Sequence, residues 1–252
     1  MLQLVVSIAV WVSMATVPLV LTYHSTYKTI FSSEWYDIAP RDFWSDRSSW
    51  PSPLGLSLGL GAVVVGHIFV LSYFLLFRAC KLGERVANQK VGARPYDLME
   101  GIFTHLAQPE GFVMLGTYLT GTWMFGLMPP SYYSFSGNVN WYHVAAQLLI
   151  QDFVQYLMHH MEHYFRVIQP PLYIATHKPH HKFLNPRFFD AFNGSPADTF
   201  LMILIPLYIT ALIVPANVWS YMAFGSLYAN WLTLIHSEYI HPWEFIFKKL
   251  GM

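Results

Sequence analysis

Charged residues are scarce in this chain of 252 residues: they make up 11% of the sequence, against 54% hydrophobic residues. Because soluble domains carry about 25% charged residues, this composition excludes an ordinary soluble globular protein. The 14 basic and 14 acidic residues cancel. Without a basic excess the chain lacks the electrostatic footprint of a polyanion-binding surface, which argues against a nucleic-acid-binding protein.

Cysteine is almost absent, since Cys80 is the single one. One thiol excludes both an intrachain disulfide framework and a cysteine-rich zinc site. Histidine is abundant by contrast: the chain has 12, and eight of them lie between His159 and His241. A metal site in this protein is therefore expected to use imidazole ligands.

Aspartate, glutamate, lysine and arginine are missing altogether from four long runs, which cover more than half of the chain: residues 1–27, 48–77, 111–151 and 199–237. A membrane-spanning helix needs about 20 apolar residues, so these runs predict an all-α, polytopic integral membrane protein with about four to six transmembrane helices. The first four spans are predicted at Leu2–Leu21, Leu54–Phe77, Phe112–Met128 and Trp141–Met158. The last run is interrupted near Pro215, so it forms either two short spans or a hairpin that does not fully cross.

The basic residues predict which side of the membrane each segment faces. Five of them directly follow the second span: Arg78, Lys81, Arg85, Lys90 and Arg94. Positive residues mark the cytoplasmic side, so the loop 78–110 is predicted to be cytoplasmic. Counting the spans onward places residues 159–198 and 236–252, with all eight clustered histidines, on that same side. The chain thus divides into an N-terminal transmembrane region, 1–140, and a histidine-rich domain, 141–252.

The first group of histidines has the sequence HHMEH and begins at His159. His159 and His163 are four residues apart, which places them on one face of a helix. Asp152 lies on the same stripe, seven residues before His159. This carboxylate either orients a ligand histidine or is a helix-end acid that reaches water.

The second group has the sequence HKPHH and contains His177, His180 and His181. Pro179 suits the first turn of a helix. A helix that starts near Lys178 would bring the three imidazoles of this group together.

The third group, HSEYIH, follows the last apolar run and extends from His236 to His241. Neutral imidazole is the commonest metal ligand among protein side chains. Three such groups next to membrane exits predict a metal site, whereas the alternative is a solvated histidine-rich loop.

Together the three groups resemble the fatty acid hydroxylase/sterol desaturase superfamily of membrane histidine-box, non-haem di-iron oxygenases. The likeness runs from Asp152 to Glu244 and is most specific in LYIATHKPHH. The resemblance implies that six histidines bind two iron ions: His159, His163, His177, His180, His181 and His236. His160 and His241 are further candidate ligands.

The resemblance also implies a monooxygenase or desaturase that acts on a sterol, fatty-acyl or sphingoid lipid in the endoplasmic reticulum membrane, with its histidine boxes in the cytoplasm. Iron would activate O2, and the protein would orient the lipid and exclude water. Electrons would come from a b-type cytochrome and an NAD(P)H reductase, because the chain has no flavin or haem motif.

Two departures from the family pattern leave other interpretations open. Many members have His-Pro after the HxxHH box, whereas this chain has Gly194-Ser195-Pro196. Members usually close with a further HxxHH box, and this sequence reaches Met252 without one. A truncated or catalytically inactive homologue is therefore an alternative.

Two other classes of membrane protein are also consistent with parts of the pattern. One is a metal transporter, although transporters usually hold their ligands in broken helices near mid-membrane. The other is a b-type cytochrome with His67 and His143 as axial haem ligands.

Overall fold

The computed structural model describes residues 53–80, 99–100, 103, 110–134, 136–182, 194–234, 236 and 249. This part of the chain consists of helices joined by turns and contains no strand, which confirms the all-α prediction for these residues. The predicted first span, Leu2–Leu21, and His241 lie outside the described residues.

The helices follow the predicted apolar runs closely. They are α1 (Pro53–Ala79), α2 (Glu110–Met124), α3 (Trp141–Ile168), α4 (Pro170–Thr176), α5 (Pro196–Ile213) and α6 (Val218–Leu234). Helix α5 takes the π form over Phe200–Leu204. Helix α3 begins at Trp141 as predicted, because the Asn140 side chain accepts hydrogen bonds from the backbone N–H groups of the first turn.

The turn between α2 and α3 and the turn between α5 and α6 interlock at one end of the helix bundle. The Tyr132 hydroxyl donates to the carbonyl of Val214 at 2.6 Å. The Asn217 side chain donates to the carbonyls of Ser136 and Asn138 at 2.9 and 3.0 Å. The last apolar run is thus two helices that form a hairpin, and the opposite end of that hairpin carries the chain toward the histidines.

Helix α3 has an inverted amphipathic pattern. Its buried face carries Gln147 and Gln151, both 0% exposed. Its outer face carries the apolar Leu149, Phe153 and Leu157, which are 66%, 57% and 47% exposed. A helix in water buries its apolar face, so polar side chains inside and large apolar side chains outside indicate a hydrocarbon surrounding.

Within the described residues, two helices are long and apolar enough to cross a membrane. They contain the 18-residue stretches Gly59–Leu76 in α1 and Pro196–Ile213 in α5, with mean hydropathies of 2.1 and 1.8. Both lengths approach the roughly 20 residues that a spanning helix needs. The total of four to six spans stays a prediction.

Helix α1 packs along α6 and comes close to it at Gly66. A Cβ atom at Gly66 would lie 3.0 Å from the backbone oxygen of Ser226, whereas one at Gly59 would meet nothing within 4 Å. Absence of a side chain at Gly66 therefore allows the two helices to meet, as small residues commonly do between membrane helices.

Candidate metal centre

The first pair of histidines projects from α3. This helix continues ten residues beyond Met158, the predicted end of the fourth span, and so carries the whole HHMEH sequence. The one-turn spacing brings the Nε2 atoms of His159 and His163 to 3.0 Å from each other. The sequence prediction that these two side chains share a face is confirmed.

The second pair of histidines comes from the chain after α4. A helix starting near Lys178 was the wrong expectation, because α4 ends at Thr176 and a turn leads into a short 3-10 helix at His180–Lys182. The tight turn nevertheless brings the Nε2 atoms of His177 and His181 to 2.9 Å from each other.

These two pairs meet to form what we call the histidine cluster, composed of His159, His163, His177 and His181. One ring nitrogen from each side chain lies within 4.8 Å of the others. Nitrogen ligands about 2.1 Å from one ion and at right angles to each other are about 3 Å apart, which is the spacing within each pair. Neutral imidazoles suit iron, zinc, copper and nickel, so the donor set fits a bound transition metal.

Two buried carboxylates hold the far side of His177. The Nδ1 atom lies 2.7 Å from Oδ1 of Asp198 and 3.1 Å from Oε2 of Glu162. The Nδ1–H donates to Asp198, with Glu162 close beside it, and this contact orients the ring so that Nε2 is directed to the cluster. Glu162 is fully buried, and His177 is its ion-pair partner in the described part of the chain.

The pKa of His177 differs from those of two other members of the histidine cluster, His159 and His181. Burial lowers the pKa of His177, but its contacts with Asp198 and Glu162 outweigh burial and raise the pKa to about 9. Burial and the neighbouring histidines lower the pKa of His159 and of His181 to about 4. Two imidazoles are thus neutral near pH 7 and can donate lone pairs, whereas His177 without a metal carries a second proton, which a bound cation would displace from Nε2.

His180 and His236 form the neighbouring part of the site. Their ring centroids are 6.0 Å apart, and the ring of His180 lies 5.6 Å from that of His177. His236 donates from Nδ1 to the carbonyl of Leu232 at 2.7 Å, and it lines the same cavity as His180. All six predicted ligand histidines are therefore brought to one region.

The other predicted site residues are placed differently. The His160 side chain is exposed and stacks on the ring of Tyr156 at a centroid distance of 6.1 Å, because one helix residue turns it about 100° away from His159. Asp152 is exposed on α3, and the carboxylates that contact a cluster histidine are Asp198 and Glu162 instead. His143 lies in the first turn of α3, at the end away from the cluster.

Sequence reasoning missed Glu162 and Asp198. Glu162 lies inside the HHMEH group, and an acid on a helix next to metal-ligand histidines was an available signal. Asp198 carried no such signal, because it lies 21 residues after His177 and reaches it only through the fold.

Ser195 joins the end of α4 to the start of α5 through hydrogen bonds. Its hydroxyl accepts a hydrogen bond from the backbone N–H of Asp198 at 3.0 Å and donates to the carbonyl of Thr176. This N-cap fixes the first turn of α5 beside the end of α4. The Gly-Ser-Pro departure therefore has a structural role, which is to place Asp198 behind His177.

A cavity of about 200 Å³ adjoins the histidines. Its polar lining includes His159, His177, His180 and His236, and its apolar lining comes from α5 and α6 through Met202, Ile203 and Leu232. This space has the mixed lining expected for a reaction site that admits an apolar molecule.

Sequence comparison with known proteins identifies the family of this chain. The sequence model of the fatty acid hydroxylase family matches residues 144–251. A protein of Phaeodactylum tricornutum (strain CCAP 1055/1) named alternative squalene epoxidase is 51% identical over 248 residues, which cover 96% of this chain and 69% of that protein. No solved structure is significantly similar to this chain. With its histidine cluster and membrane-length helices, the chain therefore belongs to the fatty acid hydroxylase family of membrane oxidoreductases, enzymes that modify lipids with O2.

Proposed function

We propose that this protein is a membrane-bound, non-haem di-iron monooxygenase that epoxidises squalene or a closely related isoprenoid hydrocarbon. The observation that carries the proposal is the meeting of four imidazole nitrogens within 4.8 Å beside a cavity with an apolar lining. The name of the relative that is 51% identical supplies the substrate and the reaction. Epoxidation adds oxygen to a double bond, so it differs from the C–H hydroxylation and the desaturation predicted from the resemblance.

The residues that would hold iron are the six histidines at the site. The histidine cluster would bind one ion, and His180 with His236 would contribute to a second. A bound pair of reduced iron ions supplies the reduction of O2, so that one oxygen atom goes to the lipid and the other leaves as water. The overall reaction consumes the alkene, O2, two electrons and two protons, and it yields the epoxide and water.

The remaining partners and location follow from this proposal. Electrons would come from a b-type cytochrome that is served by an NAD(P)H reductase. The histidines would face the cytoplasm, and the membrane would be that of the endoplasmic reticulum. The substrate would enter from the bilayer.

The side chains around the cavity would orient the hydrocarbon and exclude water. Met202, Ile203 and Leu232 offer apolar contact beside the histidines, where apolar burial contributes about 25 cal/mol per Å². A volume of about 200 Å³ accommodates one end of a long isoprenoid. A terminal double bond is therefore the one that reaches the histidines.

The test is oxygen transfer by the purified protein in lipid nanodiscs. The protein is loaded with Fe²⁺, supplied with a reduced b-type cytochrome and ¹⁸O₂, and given squalene, a sterol or a fatty acyl lipid in separate reactions. The expected product is squalene monoepoxide with one ¹⁸O atom, detected by gas chromatography and mass spectrometry. His177→Ala should abolish both iron binding and product, whereas His160→Ala, which changes an exposed imidazole on α3, should retain both.

The outcomes separate the parts of the proposal. Hydroxylated or desaturated sterol or acyl products, without epoxide, would keep the di-iron oxygenase and overturn epoxidation. Iron-loaded protein that converts none of the three lipids, or equal product from His177→Ala, would overturn the catalytic proposal itself.

A further inference from the structure

Three glutamines follow each other at four-residue intervals along the inner face of α3: Gln147 and Gln151, which are buried, and Gln155, which is half-buried. Each glutamine side chain bonds to a different element. Gln147 donates to the Tyr132 hydroxyl at 3.0 Å, Gln151 accepts from the Thr210 hydroxyl of α5 at 3.1 Å, and Gln155 accepts from the Tyr228 hydroxyl of α6 at 2.8 Å. The series ends one helical turn before His159.

Gln155 differs from the other two because it lines the cavity beside His159. Its Oε1 atom is occupied by the Tyr228 hydroxyl, and this is its one side-chain hydrogen bond in the described part of the chain. A carbonyl held by a phenol hydroxyl leaves the two N–H groups as the hydrogen-bonding capacity that this amide can still offer. Because Gln155 lines the cavity, these N–H groups are the donors that it can present next to the histidines.

We propose that the Gln155 amide donates a hydrogen bond to the oxygen atom that the reaction adds to the lipid. This assignment rests on the proposed function. A hydrocarbon substrate has no acceptor for an N–H group, whereas the epoxide has an ether oxygen. The bond therefore forms as oxygen is transferred and is absent in the ground state, which is the kind of interaction that accelerates a reaction. Gln155 is thus a catalytic residue that also distinguishes product from substrate.

The experiment measures equilibrium binding of radiolabelled squalene and of squalene monoepoxide to the full chain in nanodiscs of phosphatidylcholine. Replacing the donor by an apolar group of similar size, Gln155→Leu, should weaken epoxide binding by about 3- to 10-fold, the loss of one hydrogen bond. Squalene binding should change by less than about twofold. In turnover, the same variant should lose kcat and keep its KM for squalene.

Two further variants keep the result interpretable. Gln147→Leu makes the same chemical change on the same helix face but away from the cavity, and the ratio of epoxide to squalene affinity should not move. Tyr228→Phe keeps Gln155 and removes only the hydroxyl that fixes it, so it should lower epoxide affinity selectively even if Gln155→Leu fails to fold.

The contrary results are specific. Equal loss of squalene and epoxide binding in Gln155→Leu and Tyr228→Phe, or no loss in either variant, would overturn the role of Gln155 and leave the proposed function standing. Wild-type protein that binds neither molecule would overturn the squalene substrate and this assignment with it.

Discussion

Asp198 lies 2.7 Å from the Nδ1 atom of His177, although 21 residues separate them in the chain. The contact joins the first turn of α5 to the turn after α4, and Ser195 caps the helix on which Asp198 lies. A carboxylate behind a ligand imidazole fixes its tautomer and increases its basicity. The basicity of His177 is therefore raised by Asp198, a residue on a helix that follows later in the chain.

Removal of the Asp198 carboxylate should weaken metal binding. We expect Asp198→Ala to lower the affinity for Fe²⁺ by about 10- to 100-fold, because His177 loses its orientation and part of its basicity. The measurement is a metal-binding titration of the detergent-purified protein. Asp152→Ala removes an exposed carboxylate on α3 and serves as the control. An equal effect of both substitutions would show that Asp198 has no special relation to the site.

Glu162 should have a weaker effect on metal affinity than Asp198. Its Oε2 atom is 3.1 Å from His177 Nδ1, compared with 2.7 Å for Asp198, so its contact is the longer of the two. Glu162→Gln keeps the size of this fully buried side chain and leaves the closer contact of His177 with Asp198 in place. We expect metal affinity to fall less than in Asp198→Ala, while the melting temperature of the metal-free protein changes little. A large drop in that melting temperature would contradict this account.

Gly194 provides a test of the same contact from outside the histidines. A Cβ atom at Gly194 would lie 2.5 Å from Oδ2 of Asp198, and the Asp198 side chain is held by His177 and cannot move freely. Gly194→Ala should therefore displace the carboxylate and lower metal affinity by about tenfold or more. Gly225→Ala, at a site with nothing within 4 Å, should bind metal like the wild type in the same titration.

Gly66 should be essential for the packing of α1 on α6. Gly66→Ala places a methyl group 3.0 Å from the Ser226 carbonyl, and such overpacking costs about 1–3 kcal/mol. We expect a melting temperature several degrees below the wild type in detergent, with Gly59→Ala unchanged or slightly higher because its Cβ meets open space. Equal melting temperatures for the two variants would show that α1 and α6 accommodate a methyl group at Gly66 without a loss of stability.

Local features of the sequence predicted the helices well. The charge-free runs located α1, α2, α3 and the hairpin of α5 and α6, because helices in hydrocarbon require long apolar segments. Asn140 predicted nothing by itself, yet its cap is why α3 begins at Trp141. The end of α3 could not be predicted from hydropathy, since the last ten residues of the helix mix histidines and charged residues with apolar ones, and some of them are held by tertiary contacts around the site.

The close approach of α1 and α6 shows a second limit of sequence reasoning. Several glycines lie in α1, and nothing local distinguishes Gly66 from Gly59. Only the position of Ser226 on α6 makes one of them a contact and the other an open site. The crossing point of two helices depends on the packing of the whole pair, which a single helix does not encode.

The sequence by itself determined the ligand types and the local pairs at the candidate centre. His159 and His163 meet because a helix repeats every 3.6 residues, and the HKPHH turn brings His177 and His181 together within four residues. The tertiary structure decided how the two pairs join, which carboxylates lie behind His177, and that Gln155 rather than His160 faces the cavity. Those contacts join separate helices, and their distances are set by bundle packing and by the interlocked turns, because local spacing fixes neighbours on one helix but not the partners that another helix presents.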